Sequence, residues 1–137
     1  MNAQRWIRLI LRLTGTALVL AFVFVVVPRT WHAAVHEKIG LGPYPEPRLI
    51  IVDYLVRTIS AIYGLSGIFC WLVSFDLMRY KSIITFLAEA SILFGLLCTV
   101  VDHLLGLPWW WRLSEGPMAI LLGIVMLVLL ARVRPRF

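Results

Sequence analysis

The sequence predicts an all-helical integral membrane protein, an antiparallel bundle of four transmembrane helices with a short interfacial helix in the first outer loop. Three observations lead there. Apolar residues make up 61% of the 137 residues and charged residues only 15%, against about 25% charged in soluble chains. The apolar residues gather into four long stretches, and the Lys and Arg residues flank those stretches rather than forming a stripe.

The stretches cover about 7–27, 49–75, 83–107 and 117–133 of one domain spanning 1–137. Each approaches the roughly 20 residues needed to cross a hydrocarbon core of about 30 Å. Backbone groups in hydrocarbon must be satisfied internally, so only helices or closed barrels cross. The runs are continuous rather than alternating, which selects helices. The first stretch, strongest from Leu13 to Val27, has the basic front of a secretory leader (Arg5, Arg8, Arg12). A leader requires small residues at its cleavage site, and Val25, Val26, Val27, Pro28 and Arg29 follow instead, so the stretch reads as an uncleaved anchor.

Orientation follows from the basic residues of the short loops. Arg5, Arg8 and Arg12, then Arg79 and Lys81, then Arg132, Arg134 and Arg136 fall on one side. Arg29, Lys38, Arg48 and Arg112 fall on the other, and Arg57 lies inside a span. The first side is expected to be cytoplasmic, with both termini there, in the inner (plasma) membrane. The net charge of +6 then reads as attraction to anionic headgroups of the lipid bilayer. Nucleic-acid binding is excluded as a class, because its basic stripes with interleaved aromatics are missing.

In the first outer loop, Trp31, Val35 and Ile39 recur at helical spacing and predict an amphipathic helix at the interface, stopped by Gly40 and Gly42. Pro43, Tyr44, Pro45, Glu46 and Pro47 read as a stiff extended connector. The second outer loop is tight. Its Trp109, Trp110 and Trp111 fit the aromatic belt, with Arg112 and Glu115 beside them as outer-rim contacts. Ser114 or Gly116 is the expected cap of the fourth helix, with Pro117 in its first turn.

Ionisable residues inside spans are costly and therefore point to function. Counting about 1.5 Å per residue inward from Ile50 and Leu105, Asp53 and Asp102 lie roughly 4–5 Å deep, His103 about 3 Å and Arg57 about 10 Å. Adjacent second and third helices would gather Asp53, Arg57, Asp102 and His103 into one intramembrane polar cluster. Small and polar residues continue a stripe down each helix: Ser60, Gly64, Gly67, Trp71 and Ser74 on the second, and Ala88, Ser91, Gly95, Thr99 and Gly106 on the third. Small residues let membrane helices approach closely, so the two stripes are expected to face each other. The cluster is then either a site open to the outer face or an ion-pair clamp in which the aspartates neutralise Arg57.

Glu89 stands apart, roughly 24 Å from the outer end on the same count, and is either a possible proton site or a carboxylate that snorkels toward Arg79 or Lys81. His32 and His36 have a spacing that can hold a metal or haem, but they equally form the polar side of the interfacial helix. No metal site, cofactor or catalytic residue is assigned. Cys70 and Cys98 are about 20 Å apart in depth, too far for a disulfide within one chain. No GxSxG, P-loop, HExxH or dinucleotide motif occurs.

Arg12-Leu13-Thr14-Gly15, Arg57-x-x-Ser60-x-x-Tyr63-Gly64 and Glu115-Gly116-Pro117, together with four short spans and basic ends, resemble the DoxX-like families of small membrane proteins. The resemblance implies a four-helix bundle and an accessory role, since that group includes subunits of membrane oxidoreductase complexes. It transfers no catalytic residue. The leading expectation is a non-enzymatic small subunit or scaffold that associates with other membrane chains or with itself. The alternatives are an oligomeric transporter or channel using Glu89 or the charge cluster, and a redox protein holding quinone or haem near His103 and the tryptophans.

Overall fold

A computed structural model describes residues 2–46 and 48–133. All regular structure among these residues is helical. Helix α1 (Ala3–Val19) continues through a 3-10 turn (Leu20–Phe22) into α2 (Val23–Val26). Then come α3 (Arg29–Lys38), α4 (Ile50–Phe75), α5 (Lys81–Leu104), α6 (Trp109–Ser114) and α7 (Gly116–Ala131). Four helices are long and apolar enough to cross a membrane: Ala3–Val26, Ile50–Phe75, Lys81–Leu104 and Trp109–Ala131. Pro47 of the connector and Arg134 and Arg136 of the basic C-terminal end lie outside the described residues.

The ends of the elements follow local chemistry. Two of them share a device. Helix α3 stops where Gly40 takes a φ of 84°, with the Leu41 amide bonded to the His36 carbonyl and the Gly40 amide to that of Glu37. Helix α5 stops in the same way at Gly106 (φ 65°), with Leu107 bonded back to Asp102 and Gly106 to His103. This paired closure satisfies last-turn carbonyls and needs a residue that tolerates positive φ. The loop expected before the last span is instead helical, as α6, which starts after Pro108 where a missing amide hydrogen costs nothing. Glu115, rather than Ser114 or Gly116, holds the N-cap position of α7, and the Ser114 hydroxyl turns back to the Trp111 carbonyl at 3.1 Å.

The chain forms two compact units, Arg12–Leu72 and Met1–Leu11 with Val73–Phe137. In the first, α4 lies against the first span. A Cβ on Gly67 would stand 2.5 Å from the Gly15 carbonyl oxygen, and one on Gly64 would run into the Phe22 ring. In the second, α5 packs antiparallel on α7, with Gly95 against Gly116 and Ile120, and Ala88 against Gly123. The Ser91 hydroxyl donates to the Ala119 carbonyl across this contact at 2.8 Å. Ile7, Leu11, Val73, Leu77, Ile84, Met126 and Leu130 complete its core.

The two small-residue stripes are therefore filled differently from the sequence expectation. That of α4 receives the first span, and that of α5 receives α7. The reason is that Gly15 and Gly116 give the outer spans small faces of their own, so close approach is available to them as well.

Gly95→Val places a branched side chain where the α7 backbone already sits. It is expected to lower stability by about 1–3 kcal/mol, read as a reduced thermal midpoint in detergent. An unchanged midpoint would mean that α5 and α7 are not in this contact.

Candidate functional site

The polar residues of the Arg12–Leu72 unit collect where the first span ends. That span stops at Val26, Val27 is extended (ψ 149°), and Pro28 brings no amide hydrogen. The last carbonyls of a helix have no intrahelical donors, and in an apolar setting each unmet group is costly. Arg57 reaches across from α4 to meet them. Its Nη1 donates to the Val25 carbonyl and its Nη2 to that of Val27, the latter at 3.1 Å. The guanidinium charge also sits at the negative end of the helix dipole. His32 Nε2 lies 2.9 Å from the Phe24 carbonyl oxygen. A carbonyl only accepts, so the ring nitrogen is the donor.

Asp53, one turn before Arg57, has other partners. Tyr44 donates its hydroxyl hydrogen to Asp53 Oδ1 at 2.9 Å, and Arg29 Nη1 stands 3.4 Å from Oδ2. His32 Nδ1 faces Oδ1 at 3.7 Å and has no hydrogen-bond partner. Arg29 also donates to the Pro45 carbonyl, and its guanidinium lies over the Tyr44 ring at 4.9 Å. His36 meets the same ring edge-on at 5.4 Å, while its Nδ1 is 2.9 Å from the Gly42 carbonyl oxygen. His32 is buried, whereas the Arg29 and Asp53 side chains keep 27% and 22% of their surface exposed.

These contacts tie α3, the connector and the first turn of α4 around Tyr44. Burial, followed by the hydrogen bond to Asp53 and the nearby carboxylate charge, raises the Tyr44 hydroxyl above its ordinary value of 10.0. Chemically, the network is a set of paired donors and acceptors that fixes geometry, with His32 Nδ1 the one unmatched atom named in it.

Of the four residues expected to cluster, Asp53 and Arg57 lie in the Arg12–Leu72 unit and Asp102 and His103 in the other. Asp53 and Arg57 are neighbours on α4, but among the described residues Asp53 pairs with Arg29 and His32, and Arg57 is held by carbonyls. The clamp therefore joins a charge to a helix end, because the nearest unmet acceptors are backbone groups. Asp102 and His103 belong to the other unit. There Asp102 is buried with Oδ2 lacking a hydrogen bond, and His103 is exposed. Glu89 is exposed on α5. At the α6 rim, Trp109 is exposed, Trp110 and Trp111 meet edge to face at 5.5 Å, and the Trp111 indole donates to Glu115 at 2.6 Å. Arg112 is half-buried beside them. Cys70 and Cys98 are free thiols. Among the described residues, no group of three or more His, Cys, Asp or Glu is placed to hold a metal.

Sequence reasoning missed Arg29 and Tyr44 as network members. The signal for Tyr44 was its place between Pro43 and Pro45, which holds a side chain at a fixed point; the signal for Arg29 was its position directly after Pro28, opening α3. The chain matches no protein-family model, no curated protein and no solved structure.

Two outcomes test this site. Arg57→Ala leaves the Val25 and Val27 carbonyls without these donors and is expected to cost about 3 kcal/mol of stability, with Arg57→Lys recovering only part because an ammonium cannot span both oxygens. Equal stability of all three proteins in detergent unfolding would contradict the assignment. Tyr44 binds its proton more tightly when folded, so its contribution is complete below pH 10 and is lost as pH rises above it. Wild-type stability should fall across that range more steeply than that of Tyr44→Phe, and parallel curves would refute the Tyr44–Asp53 bond.

Proposed function

We propose that this chain is a multi-pass membrane protein with both termini cytoplasmic, acting as an accessory or structural subunit that associates with other membrane chains. One observation carries the proposal: Glu89 is exposed on the surface of α5. It lies about 12 Å along the helix from Lys81, beyond the reach of its own side chain to the headgroups. A carboxylate within a span faces protein or water rather than lipid. Since the helices of its own unit leave Glu89 uncovered, a neighbouring chain is the cover this reading assigns to it. The apolar surfaces agree, for no more than 28% of any span's most apolar window is buried within the chain. The network around Tyr44 supports a scaffold role, because its charges are spent on holding the outer loop. The resemblance to DoxX-like proteins leads in the same direction.

The same carboxyl favours a second reading, an oligomeric transporter in which copies of this chain enclose Glu89 as a proton-carrying group. A metal or haem held by the His32–His36 pair draws less support, because each ring is bonded to a carbonyl of its own chain.

Native mass spectrometry of gently extracted protein separates these readings. The subunit reading predicts a defined complex with other chains that Glu89→Ala weakens at least tenfold. A homo-oligomer whose proton flux in vesicles is abolished by Glu89→Gln would select the transporter. A lone monomer would contradict both.

A further inference from the structure

The unit formed by Met1–Leu11 and Val73–Phe137 carries a basic rim at one end, and its geometry is set by helix register. Gln4 Nε2 approaches Met78 Sδ at 4.0 Å, and Arg8 Nε donates to the Ser74 carbonyl at 3.1 Å. The start of α1 therefore runs antiparallel to the 74–78 segment, with Arg5 level with Leu77 and Met78. Along α5 and α7, Gly95 meets Gly116, Ser91 meets Ala119, and Ala88 meets Gly123. Carried on at the same pitch, this register brings Arg132 level with Arg79 and Lys81.

Arg5, Arg79, Lys81 and Arg132 thus stand near one level, with Arg8 about one turn further in, around a shared core of Ile7, Leu77, Ile84 and Leu130. Among the described residues Asp76 is the acid at that level, and its Oδ1 accepts the Arg79 backbone amide at 3.1 Å. Arg79 lies over the Tyr80 ring at 5.5 Å. Arg5, Arg79 and Arg132 are exposed. Large apolar side chains are exposed beside them, with Trp6 at 42%, Phe75 at 63% and Met78 at 44%.

We propose that this rim binds the headgroup of an anionic phospholipid, with the guanidinium and ammonium groups on the phosphate and the Trp6–Phe75–Met78 surface along the acyl chains. Five cations gathered within about one helical turn repel one another unless a counter-anion joins them. The exposed apolar residues next to the charges place that anion at a boundary between water and hydrocarbon, which is where a phospholipid presents its phosphate. A soluble anion would match the charges and leave the apolar surface uncovered. The inference rests on membrane placement of the spans and not on the subunit role.

The test is native mass spectrometry of the full chain released from nanodiscs of equal phosphatidylglycerol and phosphatidylcholine. The wild-type chain is expected to retain phosphatidylglycerol preferentially. Arg5→Gln, Arg79→Gln and Lys81→Gln together should remove the preference, each charge accounting for about fivefold. Equal retention of both lipids by the wild-type chain would overturn the proposal whether or not the variant folds. A triple variant that keeps the preference would overturn it too, as would an acidic protein chain held at the rim with no lipid preference.

Discussion

The contact between Arg57 and the carbonyl end of the first span organises the α3 end of the Arg12–Leu72 unit. A helix that stops inside an apolar environment strands its last carbonyls. A cation on a neighbouring helix is costly unless it too is matched. Here each need meets the other, since Nη1 and Nη2 of Arg57 take the Val25 and Val27 carbonyls. Once that end is closed, Pro28 can turn the chain and start α3, and His32 can reach back to Phe24. The Tyr44–Asp53–Arg29 contacts then fasten the connector to the first turn of α4.

Close helix packing makes the Arg57 contact possible. Gly64 and Gly67 leave no room for a side chain between α4 and the first span, and Gly15 answers them from the other side. The unit holding α5 and α7 uses the same means, with Gly95, Gly116 and Gly123 at the contact. Without a hydrophobic driving force between helices in lipid, such approach supplies the dispersion contacts and hydrogen bonds that hold them together. The Ser91–Ala119 bond is one of these.

The four long helices were legible because continuous apolar runs leave few alternatives; their observed limits fall within four residues of the expected ones, except that the fourth begins at Trp109 rather than Pro117. Helix α3 was legible from Trp31, Val35 and Ile39, and its end from Gly40. The partners within the site were harder to read. Side-chain arithmetic pairs charges with charges, so it assigned Arg57 to aspartates and overlooked backbone carbonyls, which carry no sequence signature. Depth along a helix also says nothing of which neighbour a face meets. The α4 and α5 stripes were therefore matched to each other, when Gly15 and Gly116 supplied equally small surfaces. Tyr44 was read as part of a stiff segment, and stiffness was the clue to its role, since Pro43 and Pro45 fix where its ring stands.

The central claim is that Arg57 holds the end of the first span and, through it, helix α3. Hydrogen–deuterium exchange on the full chain in detergent addresses this most directly, comparing wild type with Arg57→Ala peptide by peptide. The account predicts that amides of Arg29–Lys38 exchange slowly in the wild type and lose that protection in the variant, while Gly116–Ala131 keeps its own. Unchanged protection of Arg29–Lys38 in the variant would contradict it.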